Sequence, residues 1–369
     1  MIYVHIPYCH RKCTYCAFYS VVSTAHLEDY LNALCREIEV REWPDQPIRT
    51  LYLGGGTPSL LSPAQLGKVV DALRRRFDLS QIEEATLECN PEDLIPEYIK
   101  ALLELRLFNR LSIGIQSFND EDLLTLNRRH SAAMAFEAVR NAAEAGFDNI
   151  SIDLIYGLPS QDIDGWQRNL DAVATLPKAV KHLSAYSLTV EPGTILSRQI
   201  EIGKVKPTSE TTLIDQYNAL CKWALVNGFE QYEISNFARP GFRSRHNSRY
   251  WTREPYLGLG ASAHSFDGSS RRWNTADIAK YIGSLANGDA EHGSETLTDT
   301  DAFNELVMTS LRTTAGIQKS SVAPQFSQHL ANAVKPFIAN GLIRETPSSF
   351  EPTASGLLQA DCIAASLMA

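Results

Sequence analysis

The 369-residue chain is 44% hydrophobic and 21% charged, with a formal net charge of −9 and a mean hydropathy of −0.19. Such a globular sequence can bury one large core with an appendage, or two units; its acidic balance excludes indiscriminate nucleic-acid binding, and no run of about 18 apolar residues exists to span a membrane, which leaves only a peripheral membrane contact open. Seven cysteines, an odd number with no export signal ahead of them, argue against a disulfide framework and predict a cytoplasmic protein.

From the N-terminus, short runs rich in Ile, Leu and Val alternate with amphipathic helical stretches. Strands are predicted at Ile2–Ile6, Thr50–Leu53, Ala85–Cys89, Leu111–Gln116, Asn149–Ile155 and His182–Leu188. Helices are predicted between them, among others at Ala25–Arg41, Pro63–Phe77, Leu94–Leu105 and Ala132–Ala145. Crossovers of this length imply a parallel sheet. Nothing resembles a strand–GxGxxG–helix fingerprint, so a partial (β/α)6 barrel over residues 1–228 fits better than a flat dinucleotide fold. After Asn227-Gly228 the pattern changes. A last strand is predicted over Tyr232–Phe237, then a Gly/Arg/Ser-rich loop holding His246. Helices follow at Ala276–Ala286 and Asp301–Thr313, and from Thr353 after a turn. Residues 229–369 read as a smaller α+β, winged-helix-like module, whose acidic surroundings argue against a DNA role.

Polar and glycine residues gather just after the predicted strands, where α/β barrels place their active sites. Cys9, Cys13 and Cys16 follow the first strand, Gly54-Gly55-Gly56-Thr57-Pro58 the second; Glu88 closes the third, Gln116 the fourth, and Asp153 sits late in the fifth. Three thiolates on one tight loop select zinc or an iron–sulfur cluster. A structural zinc site normally takes four ligands, and no second cysteine pair or His-x3-5-His partner is present. Three cysteines around a four-iron cube would leave one iron open to a small molecule. The three glycines allow close backbone approach to a ligand, and Pro58 can start a helix. The absence of a following Gly-Lys-Ser/Thr speaks against a phosphate-binding loop. Cys35, Cys89, Cys221 and Cys362 read as small packing residues.

The CxxxCxxC loop after a first strand resembles the radical S-adenosylmethionine superfamily. Within it, Tyr3-Val4-His5-Ile6-Pro7-Tyr8-Cys9 is similar to oxygen-independent coproporphyrinogen III oxidases and their relatives. The resemblance implies a [4Fe–4S] cluster on Cys9, Cys13 and Cys16, with S-adenosylmethionine chelated to the open iron and split by one electron into a 5′-deoxyadenosyl radical. It implies that Gly55, Gly56 and Thr57 contact the methionine moiety and that Arg128 takes the carboxylate. Glu88, Gln116 and Asp153 would serve the amino group or ribose, while Tyr3 and Tyr15 border the cofactor and cluster. Carboxylates and amides suit hydroxyls, and a guanidinium fork suits a carboxylate.

Two departures from the oxidases bear on the branch. Phe18 stands where they carry a further cysteine, and only Met1 and Ile2 precede Tyr3, where they have an N-terminal extension. In their place, His246-Asn247-Ser248-Arg249-Tyr250-Trp251 resembles the HNxxYW motif of HemW-type heme chaperones. That likeness implies a protein that binds heme and passes it to cytochromes or respiratory proteins. His246 would contact heme through its imidazole, with Tyr250 and Trp251 against the porphyrin face. His264 is a second, weaker candidate. Oxidative decarboxylation of coproporphyrinogen III is the alternative, and a structural metal-binding adaptor the third; whether the chain is an enzyme stays open at this point.

Overall fold

In the computed structural model, residues 1–44, 46–159, 161–286 and 292–369 are described. The first unit alternates β1 (Ile2–Ile6), α1 (Leu27–Val40), β2 (Thr50–Gly55), α2 (Pro63–Arg76), β3 (Glu84–Cys89), α3 (Pro96–Glu104), β4 (Arg110–Gln116), α4 (Asp120–Thr125), α5 (Ala132–Glu144), β5 (Ile150–Tyr156), α6 (Ile163–Ala174) and β6 (Val180–Ser187). Strands β1 to β6 are parallel and paired in sequence order. They form the expected partial barrel, left open because β1 and β6 pair outward rather than with each other. After α7 (Ile195–Glu201) and α8 (Glu210–Val226) come β7 (Glu230–Gln231), β8 (Asn236–Ala238), α9 (Arg245–Trp251) and β9 (Leu257–Leu259). Strand β8 runs antiparallel to β6, and β9 runs parallel to β1. The sheet thus recruits strands from beyond residue 228.

Side chains alternate across a strand, and here the alternation is sharp. Ile2, Val4 and Ile6, Leu51 and Leu53, Leu111, Ile113 and Ile115, Ile150, Ile152 and Leu154 are all buried. They share one core with Leu31, Leu34, Leu66, Val70, Ile99, Val139 and Leu170 of the surrounding helices. The opposite face carries Tyr3, Tyr52, Glu84, Thr86, Glu88, Arg110, Ser112, Ser151, Asp153 and His182. The barrel interior is therefore polar, unlike the aliphatic layers that usually fill such barrels. Helix starts match local chemistry: Ser62 and Gln65 form a capping box ahead of α2, and Ser131 and Asp162 cap α5 and α6.

Two expectations change. The strand predicted over Tyr232–Phe237 is broken into β7 and β8. The Glu233 carboxylate turns back on Ser235 N–H and the Asn236 amide, and the backbone bonds outward, Ile234 N donating to Arg312 O at 3.0 Å. The loop expected around His246 is the helix α9, started by Ser244, whose hydroxyl accepts Asn247 N–H.

A separate small core of Phe303, Val307, Leu311, Ile317, Leu330, Ile343, Phe350 and Ile363 builds the C-terminal module. There a three-stranded antiparallel sheet (Ile317–Gln318, Ser349–Pro352, Ile343–Glu345) packs with helices including Asp299–Ser310 and Ala360–Leu367. No helix among the described residues is long and apolar enough to cross a membrane.

Glu37 of α1 ties the barrel to the segment that follows it. Buried at 1% exposure, it accepts hydrogen bonds from Tyr281 Oη (2.6 Å), Gly260 N (2.7 Å), Arg41 Nη2 (2.8 Å) and Asn274 Nδ2 (2.8 Å). Glu37→Ala strands the Tyr281 hydroxyl and Gly260 N–H and leaves the buried Arg41 guanidinium, still bonded to Asn274 Oδ1, without its counter-charge; it is expected to cost about 3–5 kcal/mol in chemical unfolding. A loss below about 1 kcal/mol would show that this joint does not hold the two regions together.

Candidate functional site

The cysteine loop leaves β1 at Pro7 and is closed at its neck, where Cys9 N donates to Val21 O (3.0 Å) and Val21 N to Pro7 O (2.8 Å). Its far end hangs on Thr14. Thr14 N and Oγ1 donate to Leu126 O (3.2 Å) and Thr125 O (3.1 Å), and Leu196 N donates to Thr14 O (2.9 Å). Asn127 Nδ2 adds a bond to Lys12 O at 2.8 Å, from a residue at φ +60°. The loop is anchored on three sides.

The thiols of Cys9, Cys13 and Cys16 open on one cavity of ≈ 630 Å³ at the C-terminal end of the strands, which Tyr15, Gly55, Gly56, Thr57, Glu88, Gln116, Arg128 and Asp153 also line. Residues scattered over more than a hundred positions thus line one cavity. Tyr15 packs beneath the loop against Leu126, Ile155 and Leu158. Phe18, 73% exposed, stands at the cavity mouth.

Each wall has its own support. Gly55 sits at φ +113°, and a Cβ there would lie 2.6 Å from His5. Gly56 lies against the backbone of Tyr8, which a Cβ would meet at 2.6 Å, so the glycine turn and the cysteine loop fit only without side chains between them. Gln116 is held at φ +70°, just where the β4–β5 register slips. Left-handed backbone is costly for a non-glycine residue and gathers at functional positions.

Arg128 donates through Nη2 to Asn90 Oδ1 and Gly114 O, both at 2.7 Å, and through Nη1 to Cys13 Sγ at 3.5 Å. Its Nε is buried without a partner. Opposite it, Glu88 accepts from Tyr52 Oη (2.7 Å) and Gly55 N (3.0 Å), and Asp153 accepts from Ser112 Oγ (3.4 Å). Burial pushes the Glu88 carboxyl up to about 7 and the Asp153 carboxyl up to about 6. Arg110 acts on both carboxyls and Arg128 on Asp153, but burial outweighs them, so a positively charged ligand group would be favoured between the two. The arrangement suits a ligand with a carboxylate at one end and positive charge toward the other.

No three His, Cys, Asp or Glu side chains among the described residues converge as one metal ion would require. The three thiols line the same cavity, and soft thiolates bordering such a space suit an iron–sulfur cluster. Thr57 Oγ1 donates to Cys9 Sγ at 3.6 Å, while burial raises the Cys9 and Cys16 thiols, a cost that a metal would offset by taking them as thiolates.

Tyr3 and His246 do not line this cavity. Tyr3 lies deeper in the barrel, its hydroxyl 3.1 Å from His5 Nδ1. His246 is wholly buried, with Nδ1 3.0 Å from Thr50 Oγ1 and Nε2 3.0 Å from Tyr250 Oη; desolvation lowers its pKa to about 3 and keeps it neutral. Asn90, Ser112, Gly114 and Tyr186 are cavity residues that sequence reasoning passed over. Ser112 and Gly114 precede Gln116 at alternate positions of β4, so the period of two could have found them.

The Radical SAM superfamily profile matches residues 3–173, and that of the HemN C-terminal domain residues 297–358. The chain is similar to "Heme chaperone HemW" of Bacillus subtilis (34% identical over 365 residues, 96% of each chain) and of Mycobacterium tuberculosis (33% identical, covering 100% of this chain and 94% of the relative). Among solved structures, the radical SAM enzyme coproporphyrinogen III oxidase (HemN) of Escherichia coli superposes with a TM-score of 0.86 at 26% identity, covering 100% of this chain and 89% of that one. Full-length likeness in sequence, both family profiles and the shared barrel agree with the cysteine loop and its cavity: the chain belongs to the HemW heme chaperone family of the radical SAM superfamily.

Proposed function

We propose that the chain holds a [4Fe–4S] cluster on Cys9, Cys13 and Cys16, binds S-adenosylmethionine in the adjoining cavity, and takes up heme in the cytoplasm for transfer to acceptor cytochromes or other respiratory proteins. The observation that carries the cofactor reading is the meeting of the three thiols, the glycine turn and the Glu88, Gln116, Arg128 and Asp153 side chains in one cavity. Arg128, fixed through Nη2 by Asn90 and Gly114, offers its remaining Nε and Nη1 donors to the carboxylate of the ligand. Glu88 and Asp153 serve the amino group or the ribose hydroxyls near the positive sulfonium, and Gly55, Gly56 and Thr57 admit the methionine chain. When bound, the cluster supplies the single electron that cleaves the sulfonium. Heme handling is supported by the relatives described as heme chaperones. A heme contact at His246 requires α9 to leave its seat, since both ring nitrogens are bonded.

Coproporphyrinogen oxidation is the second reading, favoured by the HemN superposition. Against it stands Phe18, an apolar side chain at the cavity mouth in place of a further thiol.

Anaerobic reconstitution is expected to load about four iron and four sulfide per chain. Cys9→Ala, Cys13→Ala or Cys16→Ala each lowers this severely, as read by metal analysis and absorption. Zinc without sulfide in the wild type would sink the cluster assignment. Affinity for S-adenosylmethionine is expected to climb as pH rises through the range set by Asp153 (about 6) and Glu88 (about 7), because only ionised carboxylates favour a cationic ligand; equilibrium dialysis giving a flat profile would refute these contacts. Heme added to the purified chain should develop a Soret band while coproporphyrinogen III stays unconverted under anaerobic reducing conditions. Formation of protoporphyrinogen would reverse the order of the two readings.

A further inference from the structure

The helix that carries His246 is seated on the same strand that carries Glu88. Along β3, Glu84, Thr86 and Glu88 share the inward face. At the lower end, the Glu84 carboxylate accepts the N–H groups of Arg245 and His246, each at 2.9 Å, and the Ser244 hydroxyl at 3.2 Å. This pins the first turn of α9 beneath the barrel. His246 is then fixed by Thr50 and Tyr250, and its ring stacks on Tyr52 with centroids 5.3 Å apart and planes 30° apart. Tyr3 also stacks on Tyr52, at 6.1 Å and 27°. With its ring so held, Tyr52 aims its hydroxyl at Glu88 Oε1 (2.7 Å) while Gly55 N holds Oε2 (3.0 Å). Both oxygens of the cavity carboxylate are oriented, one from below by Tyr52 and one from the cavity wall by the Gly55 backbone.

We infer that Tyr52 and His246 are positioning residues for Glu88: α9 sets the ring of Tyr52, and Tyr52 sets the carboxylate that faces the ligand. This rests on the reading of Glu88 as a contact of S-adenosylmethionine. It gives the HNxxYW-like segment a task inside the barrel, as a floor under the cofactor cavity, in place of direct contact with heme. The buried ring, the absence of a free ring nitrogen and the unbroken stack to Tyr52 all favour that task.

The test measures S-adenosylmethionine affinity by equilibrium dialysis on the reconstituted full chain for Glu88→Gln, Tyr52→Phe, the pair together, His246→Phe and His246→Ala. Heme titration and thermal unfolding are followed alongside. Glu88→Gln is expected to weaken binding about tenfold or more, and Tyr52→Phe about three- to tenfold. The pair should be no weaker than Glu88→Gln alone, because the phenol acts only through the carboxylate. His246→Ala removes the stack and weakens binding, His246→Phe restores most of it, and both keep the Soret band of bound heme. Multiplying losses in the pair, or an unaltered Tyr52→Phe beside an impaired Glu88→Gln, would overturn the positioning role and leave the cofactor reading standing. So would loss of the Soret band in His246→Phe with S-adenosylmethionine binding intact. Wild-type affinity in Glu88→Gln would overturn both. Should the His246 variants fail to fold, the Tyr52–Glu88 cycle decides alone.

Discussion

A polar group taken out of water costs several kcal/mol unless it finds a partner, and the inward face of this sheet is lined with such groups. That constraint explains where the rest of the chain goes. Glu84 needs donors, and the first turn of α9 provides N–H groups that a helix cannot satisfy within itself. Glu88 needs donors, and Tyr52 with Gly55 supplies them. His182 sits between Ser151 Oγ (2.8 Å) and Tyr232 Oη (2.7 Å). Glu84 and His182 bond to segments from beyond the sixth strand, and these lie across the barrel floor without any strand joining β1 to β6.

The outward face obeys the opposite rule. Its Ile, Leu and Val side chains are interchangeable in kind, so the helices can pack on them by volume alone. Specific geometry is concentrated on the inside, where hydrogen bonds have direction. The cavity at the top inherits that precision: a guanidinium faces two carboxyls of raised pKa across the strand ends, an arrangement formed by residues from three different β–α units.

Much of this was legible in the sequence, for a physical reason. Continuous apolar alternation and glycine or asparagine at strand ends are local signals, and β1 is predicted to the residue, with β2 to β6 within a residue or two of their ends. The cysteine loop and the glycine turn are also local, and they lie where expected. Strands β7 to β9 are only two or three residues long and exist through their neighbours, so no period announces them. His246 reads as a solvent-facing residue because Ser, Arg and Asn surround it. Its burial is decided by Glu84 and Thr50, more than 160 residues earlier. Arg128 and Asp153 needed a family likeness to be grouped, since nothing in their local sequence links them.

The anchoring of the cysteine loop through Thr14 also has a temporal side. All three cysteines are made among the first sixteen residues, yet the backbone groups that hold Thr14 belong to Thr125, Leu126 and Leu196. A nascent chain therefore exposes its thiols long before it can fix their spacing, and contacts this distant in sequence close late. The loop is synthesised before its anchors and takes shape among the last parts of the barrel. Loading of the cluster proposed for it would then belong to the period after the sixth strand has been added, when the loop has something to hang from.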